Sequence, residues 1–182
     1  MAKFYPAIDD KHAAFIAAQR MFFVATAPRH GRINVSPKGG DCLRVLGAQR
    51  VAWLDVTGST NETAAHLLDD GRVTVMFCAF DGPAQLLRLF GRARSVLPGD
   101  GEWPDLAALF PAPPGRRQIH VMDVESVQTS CGFGVPLFEY QGERPDLARW
   151  CAAKGEDGLR DYWRQKNTVS IDGLPTGLRV DK

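Results

Sequence analysis

Two strings in this sequence combine hydrogen-bond donors with backbone freedom in a way that suits anion binding. Asn34-Val35-Ser36-Pro37-Lys38-Gly39-Gly40 leaves an extended segment for a glycine-flanked turn. Backbone amides, a hydroxyl and an ammonium group can converge there on one oxyanion. Thr57 to Thr63 brings a strand end, Gly58 and a helix start together, and unpaired amides at a helix N-terminus attract phosphate. Each string also has a plainer use. The first serves equally as a surface turn, and the second as a capping box in which Ser59 bonds its own helix and Glu62 returns the bond.

Other reactive side chains form no such group. His12 and His66 fall on expected helices, His30 in a turn and His120 in a strand, so no pairing is implied. Cys131, in Ser130-Cys131-Gly132-Phe133-Gly134, has the most nucleophile-like setting, against the usual role of a free cysteine as a small buried hydrophobe. Cys42, Cys78, Cys131 and Cys151 contain no CxxC pair, which argues against a structural zinc or a redox dithiol. No GxGxxG, Walker loop, HExxH or GxSxG occurs.

The elements that must carry these residues follow from periodicity and punctuation. Asp9-Asp10 caps a helix to about Arg20, and Met21–Ala27 is an aromatic and β-branched strand. Pro28–Gly31 turns it into an extended stretch from Arg32 to Ser36, and Arg50–Val56 is a third strand. A short helix then ends before Gly71. Arg72–Phe80 and Gln85–Val96 form an antiparallel pair in which Arg88, Arg92 and Arg94 share a face with Phe90. Arg117–Val127 supplies a further strand, and the tail from Pro145 to Asn167 reads as two short helices split at Gly155. About six strands with no internal repeat predict a single, mainly β domain over residues 1–182 with peripheral α-helices. The N-terminal helix covers about 9–20 and the C-terminal helical extension about 145–167. Periodicity leaves barrel and sandwich both open.

Composition narrows the function classes. The 182 residues carry 22 Lys plus Arg against 21 Asp plus Glu, a net charge of +1. No global field therefore draws the chain to nucleic acid or acidic lipid, and any anion must be held locally. The hydrophobic fraction of 45% suits a globular protein, while no apolar run approaches the roughly 18 residues of a membrane span. Asp9, Asp10 and Lys11 interrupt any secretory signal, so a cytoplasmic location is expected.

The order of these pieces, with the strings NVSPKGGD, TGSTNETAAHLL, RLFGRA, SCGFGVP and SIDGLP, resembles the FMN-binding split-barrel family typified by pyridoxamine 5'-phosphate oxidase. The likeness is plainest from Met21 to Val96. It implies a six-stranded antiparallel Greek-key split β-barrel, a homodimer with flavin at the subunit interface, and a flavin-dependent oxidoreductase acting on a small molecule. By the same resemblance, Asn34, Val35 and Ser36 lie along the flavin, Lys38 beside it, and Thr57 at the strand end, with Ser59 near the phosphate. The family's Ser-Arg-Lys phosphate grip falls on Asn61, Glu62 and Thr63, which replaces two cations by an acid and a hydroxyl. Charge for the phosphate is then expected from Lys38 or Arg88, the latter three positions before the family's strand glycine, here Gly91. Gln85 lies near the family's flavin-contacting glutamine. The Trp and Arg-x-His substrate pattern of the oxidases is missing after Val127, so pyridoxamine 5'-phosphate is not the expected substrate. The alternative on the same fold is a module that holds a flavin, haem or other small molecule without turnover.

Overall fold

The computed structural model describes residues 2–180. Its strands are β1 (Lys3–Tyr5), β2 (Met21–Thr26), β3 (Asn34–Gly39), β4 (Leu43–Gly47), β5 (Arg50–Val56), β6 (Arg72–Cys78), β7 (Leu86–Val96) and β8 (Arg116–Ser130). Helices α1 (Asp10–Ala18), α2 (Glu62–Asp69), α3 (Trp103–Ala107) and α4 (Asp146–Lys166) lie between and after them. One antiparallel sheet runs β3-β2-β6-β7-β8-β5-β4, and β1 pairs with the far end of β8.

This sheet has to curl. Its terminal strands β3 and β4 are joined by only Gly40, Asp41 and Cys42. Four peptide steps reach about 14 Å, whereas seven flat strands would separate the same edges by about 29 Å. The curled interior is filled by Phe22, Val24, Trp53, Val73, Val75, Phe77, Leu87, Leu89 and Met122, all buried, with Leu67 contributed by α2. A second cluster, including Leu54, Phe110, Ile119 and Val121, packs with Trp103 and Leu106 of α3.

Eight strands form where six were expected; the additions are β1 and β4, each too short to show a clear alternation. β3 begins at Asn34 rather than Arg32 and continues through Pro37 and Lys38, which the sequence placed in a turn. Proline fits because β3 is an edge strand, where a missing N–H costs no ladder bond. The turn comes at Gly40, with φ of 75°. The Ser59–Glu62 capping box does not form: α2 starts at Glu62, with Asn61 as an N-cap that makes no side-chain cap bond. The one-turn helix α3 arises in the connection read as Pro-rich loop. In the tail, the two helices meet as expected at Gly155, whose φ of 66° interrupts α4.

The bulge that matters most lies where β5 meets β8. Asp55 pairs with Gln118 and Val56 with Arg116, so Arg117 is the extra residue of a β-bulge. Neighbours on a regular strand point to opposite faces, whereas a bulge re-aims one of them. Arg117 and Gln118 consequently reach the same carboxylate.

Candidate functional site

Asp55 ends the inward face of β5, one step beyond Trp53, and is 3% exposed. Its Oδ2 accepts hydrogen bonds from Arg117 Nε (3.0 Å), Arg117 Nη2 (2.6 Å) and Gln118 Nε2 (2.9 Å). Its Oδ1 accepts from Lys38 Nζ at 3.0 Å, which ties edge strand β3 to β5 across the open side of the curled sheet. Burial alone would raise the Asp55 carboxyl, but the charges of Arg117 and Lys38 and the Arg117 hydrogen bonds outweigh it. They hold Asp55 well below the usual carboxylate range. His120, paired with Trp53 across the ladder, has Nε2 4.0 Å from Asp55 and Nδ1 3.0 Å from Ser95 Oγ. Burial pushes His120 down to about 4 against the pull of Asp55, so it is neutral near pH 7.

Above this cluster lies a small polar cleft of about 140 Å³. Asn34, Ser36 and Lys38 line one wall because alternate residues of β3 share a face. Ser59, Asn61, Glu62 and Thr63 line the other, with Asp55 and Arg117 also in the lining. Asn34 Nδ2 donates to Ser36 Oγ (3.1 Å) and Thr63 Oγ1 (3.4 Å), joining the walls. Asn61 turns away from its helix: Oδ1 accepts from Gln118 Nε2 at 2.7 Å, and Nδ2 donates to Asn167 O at 3.3 Å. The start of α2 therefore has no side-chain cap of its own. A larger cleft of about 630 Å³ adjoins, sharing Lys38 and Val56 and bounded further by Pro37, Pro113, Tyr140 and Leu147.

The segment after α4 closes the far side. Asn167 Nδ2 donates to Gly58 O at 3.2 Å, and the Ile171 amide donates to Glu62 Oε1 at 3.0 Å. Asp172 accepts from both the amide and the guanidinium of Arg32 just before β3.

Seven of the residues singled out in the sequence thus surround one cleft: Asn34, Ser36, Lys38, Ser59, Asn61, Glu62 and Thr63. Four lie elsewhere. Val35 points to the opposite face of β3 and is 60% exposed. Thr57 is buried and occupied, donating to Gly115 O (3.0 Å) and accepting from Trp163 Nε1 (2.8 Å). Gln85 precedes β7, and Arg88 pairs with Gln128, ten residues along β8 from Gln118 or roughly 33 Å of strand. Arg88 Nη1 has Ser130 Oγ at 3.5 Å, while Arg92 and Arg94 on the same face reach Asp70 and Glu102. Lys38 is not a free ammonium at a turn tip but is engaged by Asp55. The residues missed were Asp55, Arg117, Gln118 and His120. Their signal was present: charged and amide side chains inside otherwise apolar strands need partners.

Cys131 is exposed, and all four cysteines are unpaired. Among the described residues, no group of His, Cys, Asp and Glu could hold a metal, and no helix is long and apolar enough to cross a membrane.

Known proteins place this geometry in a lineage. The chain is 37% identical over 195 residues to the pyridoxamine 5'-phosphate oxidase family protein ustO of Aspergillus flavus, covering 96% of this chain and 78% of that one. Among solved structures, a protein of Lactobacillus delbrueckii described as a putative pyridoxamine 5'-phosphate oxidase superposes with a TM-score of 0.54. It covers 68% of this chain and 94% of its own at 16% identity. HupZ of Group A Streptococcus superposes at 0.53, covering 66% and 91% at 20% identity. These likenesses show the split-barrel fold, mainly antiparallel β with few helices. The pyridoxamine 5'-phosphate oxidase family profile matches residues 8–131, and with the curled sheet and the similarity to ustO this establishes that the chain belongs to that family.

Proposed function

We propose that this protein binds FMN and acts as a flavin-dependent oxidoreductase on a small organic substrate, as a cytoplasmic homodimer. The observation that carries the reading is the polar cleft itself. Its helix start has no side-chain cap, and Lys38 and Arg117 stand in its lining. That donor set fits a phosphate monoester, which needs convergent N–H groups and positive charge. The adjoining cleft, of about 630 Å³, falls within the range that encloses cofactor-sized ligands.

In this reading Lys38, Arg117, Ser59, Thr63 and the first amides of α2 hold the phosphate, and Asn34 and Ser36 orient the chain that leaves it. Proline and leucine side chains of the larger cleft exclude water from the ring. When bound, the flavin supplies hydride chemistry. The protein's part is then to bind, orient and shield, which is where such cofactor sites place the work of the fold. Residues 1–182 act as one domain, with the segment after α4 as a wall of the site.

A second copy is supported by two features. Ile33, Val35, Phe133, Leu137 and Phe138 are large apolar side chains left exposed. Gln85 and Arg88, the other residues matched to the family's flavin contacts, stand too far along the sheet to serve the cleft of their own chain, but can serve that of a partner. The four unpaired thiols suit a reducing compartment.

Sedimentation of the protein with excess FMN, followed in the visible flavin band, tests both parts. The expected result is one FMN per chain travelling with twice the chain mass. No uptake at tens of micromolar FMN refutes the flavin reading, and a monomeric boundary refutes the dimer. Bleaching of the bound flavin by a reduced nicotinamide or an organic substrate supports turnover. A flavin that no donor reduces supports a holding protein instead.

A further inference from the structure

We infer that Arg117, delivered by the bulge in β8, is the cation that grips the ligand's phosphate, and that Asp55 is the residue that positions it. The inference rests on the FMN reading above and goes beyond it. The start of α2, where the phosphate would sit, offers no positive charge of its own and carries Glu62. The molecule resolves this conflict in two ways.

First, the acid is drawn aside. Glu62 Oε1 accepts from the Ile171 amide at 3.0 Å, which turns that oxygen away from the helix start, while Oε2 is buried without a hydrogen-bond partner, 3.9 Å from His66 Nε2. Second, a cation arrives from the opposite side of the cleft. The Arg117 guanidinium is fixed in plane by Nε and Nη2 on Asp55 and by Nη1 on Thr60 O at 3.2 Å. Three of its five N–H groups are thereby used, leaving two. Lys38, anchored on the other oxygen of Asp55, keeps two of three. One carboxylate holding two cations gives the Asp55–Lys38–Arg117 cluster a net single positive charge, set across the cleft lining from Glu62. The free N–H groups of Arg117 and Lys38 suit the oxygens of a phosphate monoester, a group that riboflavin lacks.

A purely structural ion pair would stabilise the fold without distinguishing ligands, and that difference is the test. FMN and riboflavin are titrated separately, by quenching of flavin fluorescence, into the wild type, into R117K and into the double variant D55N/R117Q. The double variant removes both buried charges together, leaving neither stranded and the net charge of the cluster on Lys38 as before, so a loss for FMN alone reads the Arg117 contact itself. Melting temperatures of the variants confirm that folded protein is compared.

For D55N/R117Q, FMN affinity is expected to fall about 10- to 150-fold, the range of a charge-assisted hydrogen bond. Riboflavin affinity should stay within about twofold. R117K, which keeps the charge and loses the fork, should fall between wild type and double variant for FMN alone. Equal losses for both ligands, or no loss for either, overturn the assignment. If the wild type takes up neither flavin, the FMN reading fails, and the assignment is decided with inorganic phosphate. A rise in wild-type melting temperature with phosphate that D55N/R117Q lacks then upholds it, and no rise in the wild type overturns it.

Discussion

Replacing Asp55 by Asn should be among the most damaging single changes in this chain, because it strands a buried cation. The side chain of Arg117 is 3% exposed, whereas that of Lys38 is 22% exposed and can swing toward water. Asn keeps the shape and one acceptor oxygen but removes the charge that offsets the guanidinium. Breaking a buried pair by removing one partner costs about 3–5 kcal/mol. Asn should sit at or slightly below the low end, and Ala near the high end. For a chain of this length each kcal/mol moves the midpoint by about 2–4 °C, so D55N should melt roughly 6–12 °C lower. The double variant D55N/R117Q should recover part of this, since the stranded charge is gone. The assay is urea unfolding of the wild type, both single variants and the double variant, combined in a double-mutant cycle. A coupling of about 2 kcal/mol or more is expected. Additive losses, or a D55N cost below about 1 kcal/mol, would refute the claim that Asp55 holds Arg117 in a poorly solvated site.

Two further outcomes follow from the same frame. Folded His120 takes up its proton only near pH 4, against 6.5 when unfolded, so between those values the unfolded chain binds more protons. Its contribution, about 3 kcal/mol, is fully present above pH 6.5 and is lost as pH falls toward 4. H120Q should flatten stability against pH across that window, and an unchanged slope would show that His120 is not the group titrating. Gly91 faces a second bulge, where Phe90 pairs with Ser126 and Gly91 with Val124. A Cβ there would collide with the Asp123 carbonyl oxygen, a backbone atom that cannot rotate aside. G91A should therefore destabilise by about 1–3 kcal/mol or more; denaturant midpoints equal to wild type would contradict the close approach of β7 and β8.

Much of the fold was legible because its signals are local. Asp9 does cap α1, accepting from the His12 amide at 2.8 Å. β2, β5 and β6 alternate or run apolar as read, and Gly155 breaks α4. The resemblance carried by NVSPKGGD and TGSTNETAAHLL pointed to the family to which the chain belongs. Misreadings arose where two local signals competed. Pro37 and Gly39 looked like a turn, yet an edge strand tolerates both. Ser59 and Glu62 matched a capping box, yet Glu62 found the Ile171 amide 109 residues away.

What the sequence determined by itself was therefore most of the elements, the apolar faces they bury, and the two strings, Asn34 to Gly40 and Thr57 to Thr63, whose donors suit an anion. Periodicity acts over a few residues and leaves its mark in the string. Only the tertiary structure decided that Asp55 meets Lys38, Arg117 and Gln118, because those contacts span 17, 62 and 63 positions. A one-residue bulge in the β5–β8 pairing sets which way Arg117 points, and a strand without that bulge would turn it to the other face. The charge of the cleft depends on that register, which forms only when the sheet curls.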